Sequence, residues 1–179
     1  IVKSFNRWFN KNISKKSSRK RYFRMENYFH HVSKLIVDNC VKHNIGTIVI
    51  GKNDGWKTGM KLGKKTNQNF SSVPFCNLLQ KIQYKAKALG IEVIFTEESY
   101  TSQASFLDRD VIPIWTKGKK NEQSFSGIRV KRGLYRSAEG TLLNADANGS
   151  ANIGRKVFPE GVFNASWDRS VAATPVVVN

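Results

Sequence analysis

Acid is scarce in this chain beside its basic residues. Thirteen Asp and Glu stand against 30 Lys and Arg in 179 residues, a formal net charge of +17. A surface so one-sided repels itself unless it meets a polyanion, and nucleic acid is the polyanion such a chain ordinarily meets. Cysteine is as thin. Cys40 and Cys76 are the only two and no C-x-x-C occurs, which excludes a disulfide framework and leaves buried free thiols in a reducing compartment as the expectation. The three histidines, His30, His31 and His43, cluster near Cys40, so a zinc site would have to come from one short segment. Structural zinc wants paired ligands at set spacings, and none is expected here. No apolar run approaches the ~20 residues that span a bilayer, and no membrane partner is expected. The chain opens on Ile1 without an initiator Met or the apolar core of a signal peptide, and is read as the later part of a longer chain.

With 40% hydrophobic residues the chain can form one compact domain with a real core. Residues 1–18 form a basic N-terminal segment. Nine Lys and Arg lie within residues 1–24, among Phe5, Trp8, Phe9, Tyr22 and Phe23, a mixture suited either to phosphate contacts with base stacking or to docking on a core. From about Arg19 to Lys42, Tyr22, Met25, Phe29, Val32, Ile36 and Cys40 recur at three- and four-residue steps, predicting a helix that Asn44-Ile45-Gly46 ends. Thr47 to Ile50, β-branched and closed by Gly51, reads as a strand buried on both faces. A second helix is predicted from Pro74 to Leu89 with Phe75, Leu78, Leu79, Ile82, Ala86 and Leu89 inward and Gly90 at its end. Glu92 to Thr96 is a second strand. Strand, helix, strand at this spacing predicts a βαβ unit with parallel neighbouring strands, hence an α/β fold.

Ligands gather outside the carboxyl ends of strands in open α/β sheets. The loop after the first strand carries Lys52, Lys57, Lys61, Lys64 and Lys65 there, as candidate nucleic-acid contacts or as a solvated loop. The second strand runs into Glu97 and Glu98, and alternation means one of the pair faces a shared site. Residues from about 105 to 140 are basic and rich in turn signals (Ser126-Gly127, Ala138-Glu139-Gly140) and read as an insertion loop or irregular hairpin, with Arg132 and Arg136 added to the nucleic-acid contacts. Asn144 to Ile153 opens a third helix. Its close-packing stripe is read as Ala147, Ser150, Ala151, Gly154 and Phe158, with Asp146 in the first turn. Asp146 is then either the N-cap or a ligand held at a surface the helix shares with the sheet. Residues 159–179 show no period and read as a loosely ordered tail.

The stretch Asn144 to Ile153 resembles the third RuvC motif of the TnpB/OrfB proteins of insertion sequences, whose usual form is D-x-N-A-A-x-N-I. Tyr100-Thr101-Ser102-Gln103 is similar to the same family's Y-T-S-Q, and Lys85-Ala86-Lys87-Ala88-Leu89-Gly90 to its K-A-x-x-x-G helix end. The resemblance runs in order from about Lys15 to Phe158. It implies an RNase H-like (RuvC) fold over residues 19–158, incomplete at its N-terminus, with parallel strands and flanking helices. It also implies a transposon-encoded, RNA-guided DNA endonuclease (a transposase by family name) related to type V CRISPR effectors, acting in a prokaryotic, nucleoid-associated cytoplasm. The implied cofactor is Mg²⁺, or Mn²⁺ in its place, because hard cations take carboxylate oxygens and two of them can cleave a phosphodiester. Implied partners are DNA and a guide RNA.

Three departures accompany the resemblance. Gly51 stands where the family's second motif has Glu, so Glu97 or Glu98 is expected to supply that carboxylate from the neighbouring strand, with Asp146 as the other catalytic and metal ligand. No cysteine follows Cys76, so the family's four-cysteine zinc finger is missing. The first catalytic Asp would lie before residue 1. The competing expectations are a catalytically inactive nucleic-acid-binding relative, and a basic RNA-binding protein in which Asp146 only caps a helix.

Overall fold

A computed structural model describes residues 18–52, 74–116 and 123–159. The segments expected at 1–17 and 160–179, and Lys57, Lys61, Lys64 and Lys65, lie outside the described residues. In chain order the elements are α1 (Ser18–Lys42), β1 (Thr47–Gly51), α2 (Phe75–Ala88), β2 (Glu92–Thr96), β3 (Ile128–Lys131), β4 (Leu134–Arg136), β5 (Leu142–Asn144) and α3 (Ala145–Val157). They fall into two compact units, one of residues 18–48 and 74–93, the other of 49–52, 94–116 and 123–159.

In the first unit α1 packs along α2. Met25 and Phe29 form one buried cluster against Tyr28, Phe75 and Leu78; Val37, Cys40, Ala86 and Ile91 form another against Ile48 and Val93. The predicted stripe of α1 is right at Met25, Phe29, Val32 and Cys40, but Val37 is buried where Ile36 is half-buried, and Tyr22 is exposed. A 25-residue helix drifts against a strict three-and-four count, so its far end turns a neighbouring position inward. Leu89, expected inward on α2, is exposed because the helix stops at Ala88. Cys76 is exposed as well, a correction to the buried thiol. It follows Phe75 by one residue, about 100° round the helix, so apolar neighbours in sequence do not bury it.

Both helices end the same way. Asn44 takes φ +53°, with Ile45 N–H on the Cys40 carbonyl at 2.8 Å and Asn44 N–H on Val41 at 3.1 Å. Gly90 takes φ +72°, with Ile91 N–H on Ala86 at 2.9 Å and Gly90 N–H on Lys87 at 3.1 Å. Each is a Schellman cap, which satisfies the orphan carbonyls and turns the chain directly into a strand. Asn44, not Gly46, is the left-handed residue after α1, since its side chain tolerates that conformation. The Lys85-to-Gly90 motif thereby acquires a structural meaning. Lys85 Nζ docks on α1 through the His30 carbonyl (2.7 Å) and Ser33 Oγ (2.8 Å), Ala86 allows close packing, and Gly90 makes the cap. Glu26 joins the same interface through Lys81 at 2.8 Å and Asn77 at 3.3 Å.

β1 and β2 are hydrogen-bonded neighbours, with Glu92 N–H on Gly46 at 2.9 Å and Lys52 N–H on Thr96 at 2.7 Å. The register advances in the same direction on both strands, so the pairing is parallel and the βαβ expectation holds. β1 is half-buried rather than fully buried, a correction to the sequence reading, and on β2 Glu92 and Phe95 are exposed. Among the described residues the sheet has two strands, which leaves each with one unpaired edge.

In the second unit β3, β4 and β5 form an antiparallel sheet in that order. The expected irregular hairpin is β3–β4, with a register shift between Arg129 and Lys131 and its turn at Gly133 (φ +82°). The core of this unit is Tyr135, Leu143 and Ala145 with Leu107 against it. Tyr135, 1% exposed, donates its hydroxyl to the Gln103 carbonyl at 2.7 Å, and burial, with the charges of Asp110 and Asp108, pushes its pKa up to about 12.

Candidate carboxylate site

α3 begins where β5 ends, and its N-cap is Asn144. The Asn144 Oδ1 accepts from the backbone N–H of Asp146 at 2.9 Å and of Ala147 at 3.2 Å. The reading of Asp146 as the cap is thereby corrected: the capping is done two residues earlier, and Asp146 sits exposed in the first turn, where the helix dipole favours a carboxylate. The buried stripe of α3 is also shifted from the expected one. Ala145, Asn148, Ala151, Asn152 and Gly154 are buried, while Ala147 is half-buried and Ser150 exposed. Sequence reasoning passed over the two asparagines because amides look like surface residues.

They are fully buried, and apart from one bond to Arg155 on the same helix their side chains pair with the segment that follows β2. Asn148 donates to the Ala104 carbonyl at 2.8 Å and accepts from Phe106 N–H at 2.9 Å. Asn152 donates to Thr101 at 2.9 Å and Ala104 at 2.7 Å, and accepts from Arg155, whose other nitrogen reaches the Asp110 carbonyl at 2.8 Å. Buried amides are stable only when so paired. These bonds fasten the Tyr100-to-Gln103 motif to the buried face of α3, about 200° and 240° round the helix from Asp146. Tyr100 itself is held at φ +63°, a conformation that persists in a non-glycine residue when its surroundings over-determine it. The asparagines of the D-x-N-x-x-x-N pattern are thus what ties the chain after β2 to the helix that carries the Asp.

The two glutamates after β2 part company. Glu97 turns to the last turns of α3, where Lys156 Nζ bonds its Oε2 and Ser99 N–H bonds its Oε1. Burial works to raise its pKa, but the hydrogen bonds from Lys156 and Ser99 outweigh that and hold the carboxyl below its ordinary value. Glu98 turns to the end of β1. A Cβ placed on Gly51 would lie 2.9 Å from Glu98 Cβ, 2.9 Å from Glu98 Oε2 and 2.7 Å from Ile153 Cδ1. Glu98 therefore lies across the position where a side chain at 51 would stand. Its pKa is raised, first by burial and then by the charge of Glu97, with Lys156 opposing.

Ile153 follows Asp146 by two helical turns, which puts the two residues on one stripe about 10 Å apart along the axis, and helical side chains lean toward the N-terminus. Glu98 thus lies beside Asp146's stripe. Lys156, which engages Glu97, is about 15 Å along the axis from Asp146. A half-buried carboxylate whose charge is disfavoured by its surroundings is chemically suited to a hard divalent cation, which supplies the compensating charge. Among the described residues no three of His, Cys, Asp and Glu come together as a ready-made ligand set. Of the expected nucleic-acid contacts, Lys52, Arg132 and Arg136 are exposed. Lys52 follows β1 directly, and the two arginines flank the β3–β4 turn and β4.

Residues 75–153 match the family described as Cas12f1-like, TNB domain. The chain is 30% identical over 125 residues to the CRISPR-associated endodeoxyribonuclease Cas12f1 of Sulfoacidibacillus thermotolerans, an alignment covering 69% of this chain and 25% of that protein. A solved structure described as the cryo-EM structure of the Cas12f1-sgRNA-target DNA complex aligns with a TM-score of 0.48 at 19% identity, over 75% of this chain and 34% of that one. The chain spans about a quarter of the length of the curated relative it matches.

Proposed function

We propose that the chain belongs to the TnpB and type V CRISPR effector group and forms part of an RNA-guided DNA endonuclease with an RNase H-like (RuvC) site. In this reading Asp146 and Glu98 hold Mg²⁺ or Mn²⁺. The observation that carries it is the reciprocal occupancy at the end of the sheet: Gly51 stands where the family's second motif has its acid, and Glu98, two residues past the adjacent strand, lies across that side-chain position. The match of residues 75–153 to a Cas12f1-like domain and the likeness to an endodeoxyribonuclease support a DNA substrate. The guide RNA, the transposon origin and the cytoplasmic, nucleoid-associated location follow from the motif resemblance.

Bound there, the cation would activate water and steady the leaving oxygen of a phosphodiester. Asp146 and Glu98 would orient it from two different elements. Lys52, Arg132 and Arg136 would draw the phosphate backbone to the same unit through long-range attraction. The test is cleavage by the intact protein charged with its guide RNA and a matching DNA. Wild type nicks in Mg²⁺, while Asp146→Ala and Glu98→Gln bind the DNA and leave it whole. Equal cutting by Glu98→Gln and wild type would end the assignment of Glu98. The second reading, an inactive nucleic-acid-binding relative, draws on the lack of a three-ligand cluster among the described residues. It predicts guide-dependent binding by wild type with no Mg²⁺-dependent nicking at all.

A further inference from the structure

We infer that Lys156 is a positioning residue for Glu98, acting through the two residues that flank it; the inference rests on the reading of Asp146 and Glu98 as a divalent-cation site. Lys156 Nζ bonds the Glu97 carboxylate on one side of Glu98 and the Ser99 carbonyl on the other, the latter at 2.9 Å. Ser99 closes the ring by donating its N–H to Glu97 Oε1. One ammonium thus ties the side chain of the residue before Glu98 to the backbone of the residue after it. Its own side chain is 10% exposed, so the two contacts are made in an enclosed position.

The ring has a geometric and an electrostatic consequence. Glu97 is drawn toward the last turns of α3, so the next side chain along the extended chain points the opposite way, over Gly51. The Glu97 charge, which would otherwise compete with Glu98 for one cation, is answered by an ammonium in direct contact. A tie that merely fastened α3 to the chain after β2 would need only one of the two acceptors, and either would serve without Glu98 lying between them.

The test measures Mn²⁺ binding to the intact protein by the paramagnetic resonance of free Mn²⁺, with thermal melting recorded alongside. Lys156→Met is expected to weaken Mn²⁺ binding about 10-fold or more, the usual effect of losing a residue that orients a metal ligand. Lys156→Arg, which can reach both acceptors, restores most of it. Should Lys156→Met melt below the assay temperature, the double variant Lys156→Met with Glu97→Gln removes both charges together and carries the same expectation. Unchanged Mn²⁺ affinity in the folded variants, with only a lower melting point, would overturn the positioning role. Glu98→Gln separates the layers: if it leaves Mn²⁺ binding intact, the carboxylate site itself is refuted, whatever Lys156 does.

Discussion

Asn144 and Asp146 give the cleanest separation of stability from chemistry. Replacing Asn144 by Ala removes the Oδ1 that accepts from two backbone N–H groups, at 2.9 and 3.2 Å, and leaves them to water at the start of α3. Loss of an N-cap side chain costs about 0.5–2 kcal/mol, typically near 1. Replacing Asp146 by Ala removes an exposed carboxylate in the first turn, whose favourable interaction with the helix dipole amounts to roughly 0.3–1 kcal/mol and fades with salt. In urea titrations at moderate salt, Asn144→Ala should therefore lower stability by at least as much as Asp146→Ala, and the gap should widen as salt rises. Cleavage should order them the other way, with Asp146→Ala abolishing it and Asn144→Ala retaining it. A result in which Asp146→Ala is the more destabilising variant at high salt would refute the argument, because the cap would then be the aspartate.

Asn152→Ala strips a donor from the Thr101 and Ala104 carbonyls and an acceptor from Arg155 inside a closed site, and should cost about 2–3 kcal/mol by urea unfolding. Gly51→Ala drives a methyl against Glu98 and Ile153; overpacking of this kind costs about 1–3 kcal/mol, and Mn²⁺ binding should weaken with it because Glu98 must move. The bond from Lys81 holds the Glu26 carboxyl below its ordinary pKa in the folded protein, so the unfolded chain binds the proton more readily. Its contribution is present above the unfolded pKa and is lost as pH falls through the folded one. Lys81→Met should accordingly flatten the acid limb of stability measured between about pH 3 and 6; an unchanged slope would show that the pair contributes nothing.

Much of the fold was legible in the residues because it follows from periodicity. Met25, Phe29 and Cys40 announce α1, and the β-branched run before Gly51 and the run after Gly90 announce β1 and β2. The errors have physical causes. Val37 replaces Ile36 because register drifts over a long helix, and Cys76 is exposed by its angle on α2. At the site, the choice between Glu97 and Glu98 could not be read locally, since it depends on Lys156, 59 positions away in sequence. Asn148 and Asn152 were hidden for the opposite reason: composition marks amides as surface groups, and only their long-range partners show them as interior ones. A signal was available in their spacing of four, which places them on one face of α3 and flags them as a pair.

The fit between Gly51 and Glu98 has a consequence for how such a site can change over time. A side chain cannot be placed at position 51 while Glu98 and Ile153 keep their places, because both already fill that space. Nor can Glu98 be discarded first without leaving the sheet end bare. On the proposed reading, moving the acid between these two positions must pass through a chain that carries either a collision or no ligand. Lineages with the acid on one strand or the other should accordingly remain distinct, with small residues opposite the acid in each.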